Sequence, residues 1–240
     1  MRSISRNTTN VATIDASDGS GSFSAYAAEP EGTPRGAIVV IQEIFGVNDG
    51  IRQIAGELAA QGYIAVCPDL FWRFEPGLAM SENSEANWAK AVDFYTRYDF
   101  DKGVADVAAT IAKARTLDGA SGKVGVTGYC LGGLMTFRAM AATDADVGVE
   151  YYGGGTERYV AEAAGITKPL LIHLAGDDEY IGPDAQATIH AALDDNPLIE
   201  IHTYPGRNHA FARPGGDHYD DADAKTANAR TAAFFKAHLG

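Results

Sequence analysis

The sequence is poor in positive charge. Its 240 residues include 19 Lys and Arg against 32 Asp and Glu, which gives a formal net charge of −13. The basic residues are scattered and form no cluster along the chain. Binding to a phosphate backbone needs such clusters, so nucleic acid is not expected as a partner. Hydrophobic residues never run for the roughly 20 positions of a membrane helix, so no membrane partner is expected either.

Cysteine is also scarce. The two cysteines, Cys67 and Cys130, lie far apart and form no Cys-x-x-Cys pair. We therefore expect neither a disulfide framework nor a zinc site, and we predict a reducing compartment, the cytoplasm. The chain length and the 46% hydrophobic content suit one domain over residues 1–240 with a large core. A monomer or a weak homo-oligomer is expected.

Strand-like and helix-like segments alternate along the chain. Residues 11–14 and 23–28 flank a Gly-containing turn that is typical of an antiparallel hairpin, and the apolar stretch 37–42 is typical of a strand buried on both faces. This alternation predicts an α/β protein with a mostly parallel sheet of about eight strands, covered by helices on both faces. Further strands are predicted at 63–67, 124–126, 147–151, 169–175 and 199–204, and helices at 51–60, 84–114, after Cys130, and at 221–238.

The most informative segment is 123–133, KVGVTGYCLGG. A strand pattern ends at its start, and uninterrupted helix-forming residues follow its last glycine. Cys130 lies at the turn between them, flanked by Gly128 and Gly132. This glycine-x-nucleophile-x-glycine pattern is typical of a strained strand-turn-helix that points a nucleophile outward, with Cys in place of the usual Ser.

The same position prepares the sulfur of Cys130 chemically. The first N–H groups of a helix are unpaired and favour a negative charge, so a thiolate is the expected nucleophile. Two other interpretations exist, a small buried Cys in a Gly-rich turn and a phosphate-binding loop. The second requires a Lys-Ser or Lys-Thr pair after the glycines, and the sequence has none there.

Partners for the cysteine are expected in loops at the carboxyl ends of the strands. The loop GDDEY at 176–180 contains Asp177 and Asp178, and the loop PGRNHAF at 205–211 contains His209. Chain order is therefore Cys, Asp, His, the order of the α/β-hydrolases, in which His moves the proton and Asp orients the imidazole. The pattern does not separate Asp177 from Asp178. The other five histidines lie in predicted strands or helices, or near the C-terminus.

A third loop, QEIFGVN at 42–48, follows a central strand. Hydrolases of this fold take one oxyanion-hole N–H from such a loop and another from the residue after the nucleophile, which predicts Ile44 and Leu131. Glu43 would then lie near the sulfur. A carboxylate there either holds the thiol proton or pairs with an arginine; the alternative is an exposed surface carboxylate.

Taken together, four motifs resemble the dienelactone hydrolase family, also called carboxymethylenebutenolidases, of the α/β-hydrolase superfamily. The resemblance covers nearly the whole chain and implies the triad Cys130, Asp178 and His209, because the family's acid follows the Gly by two positions. It also implies that the Glu43 carboxylate holds the resting thiol and swings away when substrate binds. No metal ion or organic cofactor is expected to take part in the reaction. The similar segments are 42–48, 68–70, 128–133 and 209–213.

The resemblance further implies a reaction and a substrate. Family members open the lactone of a small anionic dienelactone to maleylacetate in chloroaromatic degradation, and a covalent acyl-enzyme is expected. Arg73 and Arg213 are expected to bind the substrate carboxylate through paired hydrogen bonds; alternatively, each is exposed or neutralises a neighbouring acid. Two other functions stay open: a general small carboxylester or thioester hydrolase of the same family, and a non-catalytic redox sensor with a reactive thiol.

Overall fold

The computed structural model describes residues 9–118 and 121–240. A single eight-stranded sheet has the order β1-β2-β4-β3-β5-β6-β7-β8. β2 runs antiparallel to both of its neighbours, and all other pairs are parallel. The predicted sheet of about eight mostly parallel strands is confirmed. The strands are β1 (Thr9–Asp15), β2 (Ser22–Ala28), β3 (Ala37–Ile41), β4 (Ile64–Pro68), β5 (Val124–Tyr129), β6 (Val147–Tyr151), β7 (Leu170–Ala175) and β8 (Ile199–Tyr204).

Helices cover both faces of the sheet, as predicted. The helices are α1 (Asp49–Ala60), α2 (Glu85–Thr96), α3 (Phe100–Arg115), α4 (Leu131–Ala142), α5 (Pro183–Leu193) and α6 (Asp221–Leu239). α3 and α4 pack against each other and against the central strands, while α1 and α6 cover the opposite face. In the described part of the chain, no helix has the length and apolar character needed to cross a membrane.

The helical region predicted over 84–114 is in fact two helices. The break falls at Asp99, whose extended backbone starts a new helix and whose side chain accepts a hydrogen bond from the Lys102 N–H at 3.0 Å. Asp is a preferred N-cap residue, and the sequence analysis did not use this signal. Two 3-10 segments, Thr156–Arg158 and Val160–Gly165, were also not predicted.

Apolar strands form the core. Every residue of β3, β4, β5, β6 and β7 is buried, as expected for parallel strands with helices on both sides. β8, at the edge of the sheet, is instead exposed at several positions. The loops after β3, β5, β7 and β8 emerge at the same edge because these strands are parallel, so this edge collects the residues predicted to form a site.

The start of α4 lies directly against the end of β3. A Cβ atom on Gly132 would collide with the carbonyl oxygens of Ile41 and Gln42, and a Cβ on Gly128 would collide with the backbone of Gly132. Only glycine permits both approaches. The glycines on either side of Cys130 are therefore required by the packing of backbone on backbone.

We predict that Gly132→Ala destabilises the fold, because the colliding atoms are backbone and have little freedom to move. Overpacking of this kind costs about 1–3 kcal/mol, which for a chain of this size lowers Tm by several degrees. Calorimetry or thermal denaturation followed by circular dichroism measures the change.

Gly56→Ala is the matched control. Gly56 lies inside α1, and no atom lies within 4 Å of an added Cβ. Alanine there should stabilise the protein by about 0.5–1 kcal/mol, because it reduces the freedom of the unfolded chain and favours helix. Equal Tm values for the two variants would contradict the packing argument.

Candidate active site

Cys130 lies at the strained turn between β5 and α4. Its backbone has φ 56° and ψ −115°, it is the N-cap residue of α4, and its side chain is partly exposed. Positive φ is uncommon for residues other than glycine and costs free energy that the surrounding packing must supply. Among the described residues, the other non-glycine positions with positive φ are Tyr152 and Ala210, both beside the same site.

His209 is joined to a buried carboxylate. Its Nδ1 lies 2.9 Å and 3.1 Å from the two oxygens of Asp178, and both side chains are almost fully buried. Asp178 also accepts hydrogen bonds from the backbone N–H groups of Tyr180 and Ile181. These bonds fix the carboxylate, and the carboxylate in turn fixes the imidazole with its Nδ1 protonated.

The structure separates the two neighbouring aspartates, which the sequence pattern could not. Asp178 points into the site, whereas Asp177 is exposed to solvent. Asn208 ties the two loops together, because its side-chain oxygen accepts from the N–H of Glu179 at 3.0 Å and from that of His209 at 2.6 Å. The sequence analysis missed this role of Asn208, although its place next to His209 was visible.

Two tyrosine rings contact the imidazole of His209. The ring of Tyr152 lies 5.2 Å from that of His209, and the ring of Tyr180 lies 4.8 Å from it, both edge to face. The sequence analysis missed both residues, because a Tyr at a strand end and a Tyr in a loop carry no catalytic pattern. Their rings restrict the rotation of the His209 imidazole.

The charges around His209 keep it protonated. Burial by itself lowers the pKa of His209, but the negative charges of the Cys130 thiolate and the Asp178 carboxylate raise it to about 10. An imidazole has a pKa near 6.5 in an unfolded chain. The raised pKa of His209 therefore contributes to the stability of the folded protein. This contribution is complete below pH ~6.5 and is lost as the pH rises through about 10.

Nε2 of His209 makes no hydrogen bond of good geometry, although the nearby Cys130 sulfur contributes to the raised pKa of the imidazole. Such contacts often shorten only when substrate binds. The predicted oxyanion donors are available as well. The N–H groups of Ile44 and Leu131 have no acceptor in the described chain, Ile44 lines the same cleft as Cys130, and Leu131 is the first residue of α4.

Glu43 is paired with Arg213 and not with the thiol. Nε and Nη2 of Arg213 donate to the two Glu43 oxygens at 2.7 Å and 3.0 Å, and Nη1 donates to Glu82. Of the two possibilities that the sequence offered, the structure shows the pair with an arginine. The contact with the resting thiol, which only the family resemblance implied, is not present between Glu43 and Cys130 in this structure. The alternative of an exposed carboxylate is wrong, since Glu43 is 3% exposed.

Arg73 does not reach the site. Its guanidinium pairs with the buried Asp106 of α3 and with Asp18, and it stacks on the Trp72 ring at 4.2 Å. These contacts neutralise its charge and tie the loop after β4 to the helix beneath it. The predicted role of Arg73 in binding substrate is therefore wrong, because the loop after β4 directs this side chain toward α3.

Cys130 and His209 open into a cleft of about 440 Å³, a volume within the usual range for small-molecule sites. One wall is mostly aromatic and the other is made of the glycine-rich loop after β6. The lining includes Phe45, Trp88, Val92, Tyr95, Gly154, Gly155, Glu157, Arg158, Tyr180 and Arg213. In residues 9–118 and 121–240, no group of three or more His, Cys, Asp or Glu has an arrangement that could hold a metal ion.

Comparisons with known proteins agree with one another. The model of the dienelactone hydrolase family matches residues 23–239. A candidate carboxymethylenebutenolidase of Azospirillum brasilense is 44% identical over 231 residues, covering 92% of this chain and 95% of that protein. The carboxymethylenebutenolidase of Pseudomonas sp. strain P51 is 36% identical over 223 residues and covers 93% of each chain.

A solved structure gives the same result for the fold. The crystal structure of a candidate dienelactone hydrolase from Klebsiella pneumoniae superposes with a TM-score of 0.81 at 26% identity. The superposition covers 96% of this chain and 99% of that one. The predicted α/β-hydrolase fold is thereby confirmed.

Iodoacetamide should modify Cys130 at pH 7 well before Cys67, with activity lost in proportion. Burial raises the pKa of the Cys67 thiol and hides it from solvent, whereas Cys130 is partly exposed beside a protonated imidazole. Peptide mapping by mass spectrometry gives both rates. His209→Ala should slow the modification of Cys130 by about tenfold or more, because the thiolate loses its cation. Equal rates at the two cysteines would contradict the assignment of the nucleophile.

Proposed function

The chain belongs to the dienelactone hydrolase family and is a hydrolase of ester-type bonds, and from this we propose that it opens a small anionic enol-lactone through a triad of Cys130, His209 and Asp178. The observation that carries the proposal is the hydrogen-bonded pair of His209 and Asp178 in the cleft that also contains Cys130. The relatives that are named carboxymethylenebutenolidases support the lactone as substrate.

In the first half of the reaction, the Cys130 thiolate attacks the lactone carbonyl carbon. The carbonyl oxygen takes up the electron pair and is stabilised by the N–H groups of Ile44 and Leu131. When the tetrahedral intermediate collapses, the ring C–O bond breaks and Nε2–H of His209 gives its proton to the leaving oxygen. A thioester on Cys130 results, and the leaving group stays attached to it as an enol.

In the second half, water replaces the sulfur. The now neutral Nε2 of His209 takes a proton from water as its oxygen attacks the thioester carbonyl. The C–S bond then breaks, which restores the thiolate beside the imidazolium and releases a carboxylic acid. Asp178 keeps Nδ1 protonated throughout and stabilises the imidazolium whenever it forms.

Glu43 and Arg213 act in this proposal as a pair. Arg213 holds the Glu43 carboxylate, which fixes the loop that carries the Ile44 N–H. Arg213 is already bound by two carboxylates, so a substrate anion reaches its guanidinium only if Glu43 or Glu82 moves aside. The swing of Glu43 that the family resemblance implies would be one such movement.

A second candidate substrate class is favoured by the cleft itself. Phe45, Trp88 and Val92 give it an apolar wall, and Arg73 is absent from it. Both features suit a general small carboxylester or thioester. The redox sensor is not retained, because the chain belongs to a family of hydrolases. A role in chloroaromatic degradation, a cytoplasmic location, and a monomeric or weakly oligomeric state remain predictions from the sequence.

Replacing triad members tests the proposal. His209→Ala and Asp178→Asn should each lower kcat/KM for an aryl acetate by about 10³-fold or more, because triad residues act as a unit. The double variant should lose little more than His209→Ala alone. Steady-state kinetics on purified proteins, with circular dichroism to verify folding, gives these values.

Asp177→Asn is the matched control, since it makes the same chemical change one residue away on an exposed side chain. Its kcat/KM should stay within a few-fold of the wild-type value. Losses of equal size at positions 177 and 178 would rule out Asp178 as the acid of the triad.

A further inference from the structure

A second arginine, Arg158, lines the cleft and has no role in the reaction as described so far. It ends the 3-10 segment Thr156–Arg158 in the loop after β6. Its Nη2 donates to the Tyr95 hydroxyl of α2 at 3.2 Å, and its Nε donates to the Gly155 carbonyl at 3.5 Å. The guanidinium is thus held between the two walls of the cleft.

Gly155 leaves room for this guanidinium. Gly155 has φ 100°, and a Cβ atom on it would collide with Nη2 of Arg158. Any other residue at 155 would be strained and would displace the guanidinium from its position. Glycine at position 155 therefore permits the observed position of the guanidinium in the lining of the cleft.

The charge on Arg158 is available to a ligand, in contrast to the charge on Arg213. Arg213 has bonds to Glu43 and Glu82 through all three of its nitrogens, so its surroundings carry a net negative charge. Within residues 9–118 and 121–240, Glu157 is the one residue with a carboxylate oxygen within 4.0 Å of the Arg158 guanidinium, at 3.9 Å, which is the outer limit of an ion pair. Nη1 of Arg158 makes no hydrogen bond within the described residues.

We infer that Arg158 and Tyr95 together recognise an anionic group on the substrate, at the far end of the molecule from the bond that Cys130 attacks. The guanidinium supplies charge-assisted donors, and the Tyr95 hydroxyl, which accepts from Arg158, has its own hydrogen free to donate. The body of the substrate then lies along the apolar wall of Trp88 and Val92. This inference rests on the proposed function, and it defines the substrate class as an ester or lactone with a distal carboxylate.

Glu157 allows a second test of the inference, in which a change of charge should strengthen binding. Its Oε2 is buried without a hydrogen-bond partner, and the residue lines the same cleft. A carboxylate there repels an anionic ligand. Removing its charge should therefore strengthen the binding of a carboxylate to Arg158, while it would weaken the binding of any ligand held through a hydroxyl or N–H by Glu157.

The test compares esters that differ in one charge. Phenyl hemiglutarate and phenyl valerate differ in the acyl part, and 4-acetoxybenzoate and 4-methylphenyl acetate differ in the leaving group. Arg158→Met should raise KM for the anionic member of at least one pair by about tenfold or more, since a hydrogen bond to a charged group is worth at least that factor. KM for its neutral partner should change less than twofold, and kcat should hold for both.

Three further variants sharpen the result. Tyr95→Phe should raise KM for the same anionic ester alone, by a smaller factor, and Arg158→Lys should restore part of the loss. Glu157→Gln should lower that KM. If Glu157→Gln raised it, or if Arg158→Met changed the charged and neutral esters equally, recognition of an anion by Arg158 would be wrong.

Arg97→Met is the matched control for the loss of one positive charge. Arg97 has a side-chain exposure of 53%, against 52% for Arg158, but it pairs with Asp93 and lies outside the cleft lining. It should leave KM for all four esters unchanged. An increase for the anionic esters as large as that from Arg158→Met would mean that overall charge, and not the cleft, attracts the substrate.

The inference and the proposed function fail in different ways. Failure of the wild-type protein to hydrolyse the neutral esters, or hydrolysis that survives full alkylation of Cys130, would contradict the proposed function. Hydrolysis that depends on Cys130 but shows no selective effect of Arg158→Met would contradict only the role of Arg158.

Discussion

The site depends on how closely the first turn of α4 approaches the ends of the central strands. The Cys130 N–H donates to the Tyr151 carbonyl at 3.1 Å, and Cβ atoms at Gly132 or Gly133 would collide with the ends of β3 and β6. This contact fixes the sulfur at the edge of the sheet where the loops of Ile44 and His209 also emerge. Because these partners come from different strands, the positive φ of Cys130 is maintained by the whole sheet.

The charged side chains of the site lie against groups of opposite charge. His209 lies against Asp178, and Arg213 lies between Glu43 and Glu82. Buried charges of this kind are tolerated only when they are paired, because an unpaired one loses its hydration without compensation. One consequence concerns substrate charge. A cation that is already neutralised attracts an anion weakly, and for this reason we infer the site for a substrate anion at Arg158 and not at Arg213.

Most of the architecture was predictable because strands that are buried on both faces consist mainly of apolar residues. The apolar sequence of β3, the mostly apolar sequences of β4 to β7 and the Gly-x-Cys-x-Gly turn predicted the strands, their order along the chain and the place of Cys130 at a strand-helix turn. Errors arose where one residue overrode its surroundings. Asp99 separates α2 from α3 because its side chain caps α3, and the local pattern does not reveal which of several acids will be a cap.

The sequence by itself determined the fold class, the family resemblance and the chain order of Cys130, Asp178 and His209, since these depend on local pattern and spacing. Only the tertiary structure decided where the arginines and carboxylates point. Arg73 turns to Asp106 on α3, Glu43 turns to Arg213, and Arg158 meets Tyr95 across the cleft, 63 positions away in the chain. Long charged side chains pair with the opposite charges that lie nearest in space. Those distances are set by the packing of strands and helices, and the spacing of residues along the sequence does not reveal them.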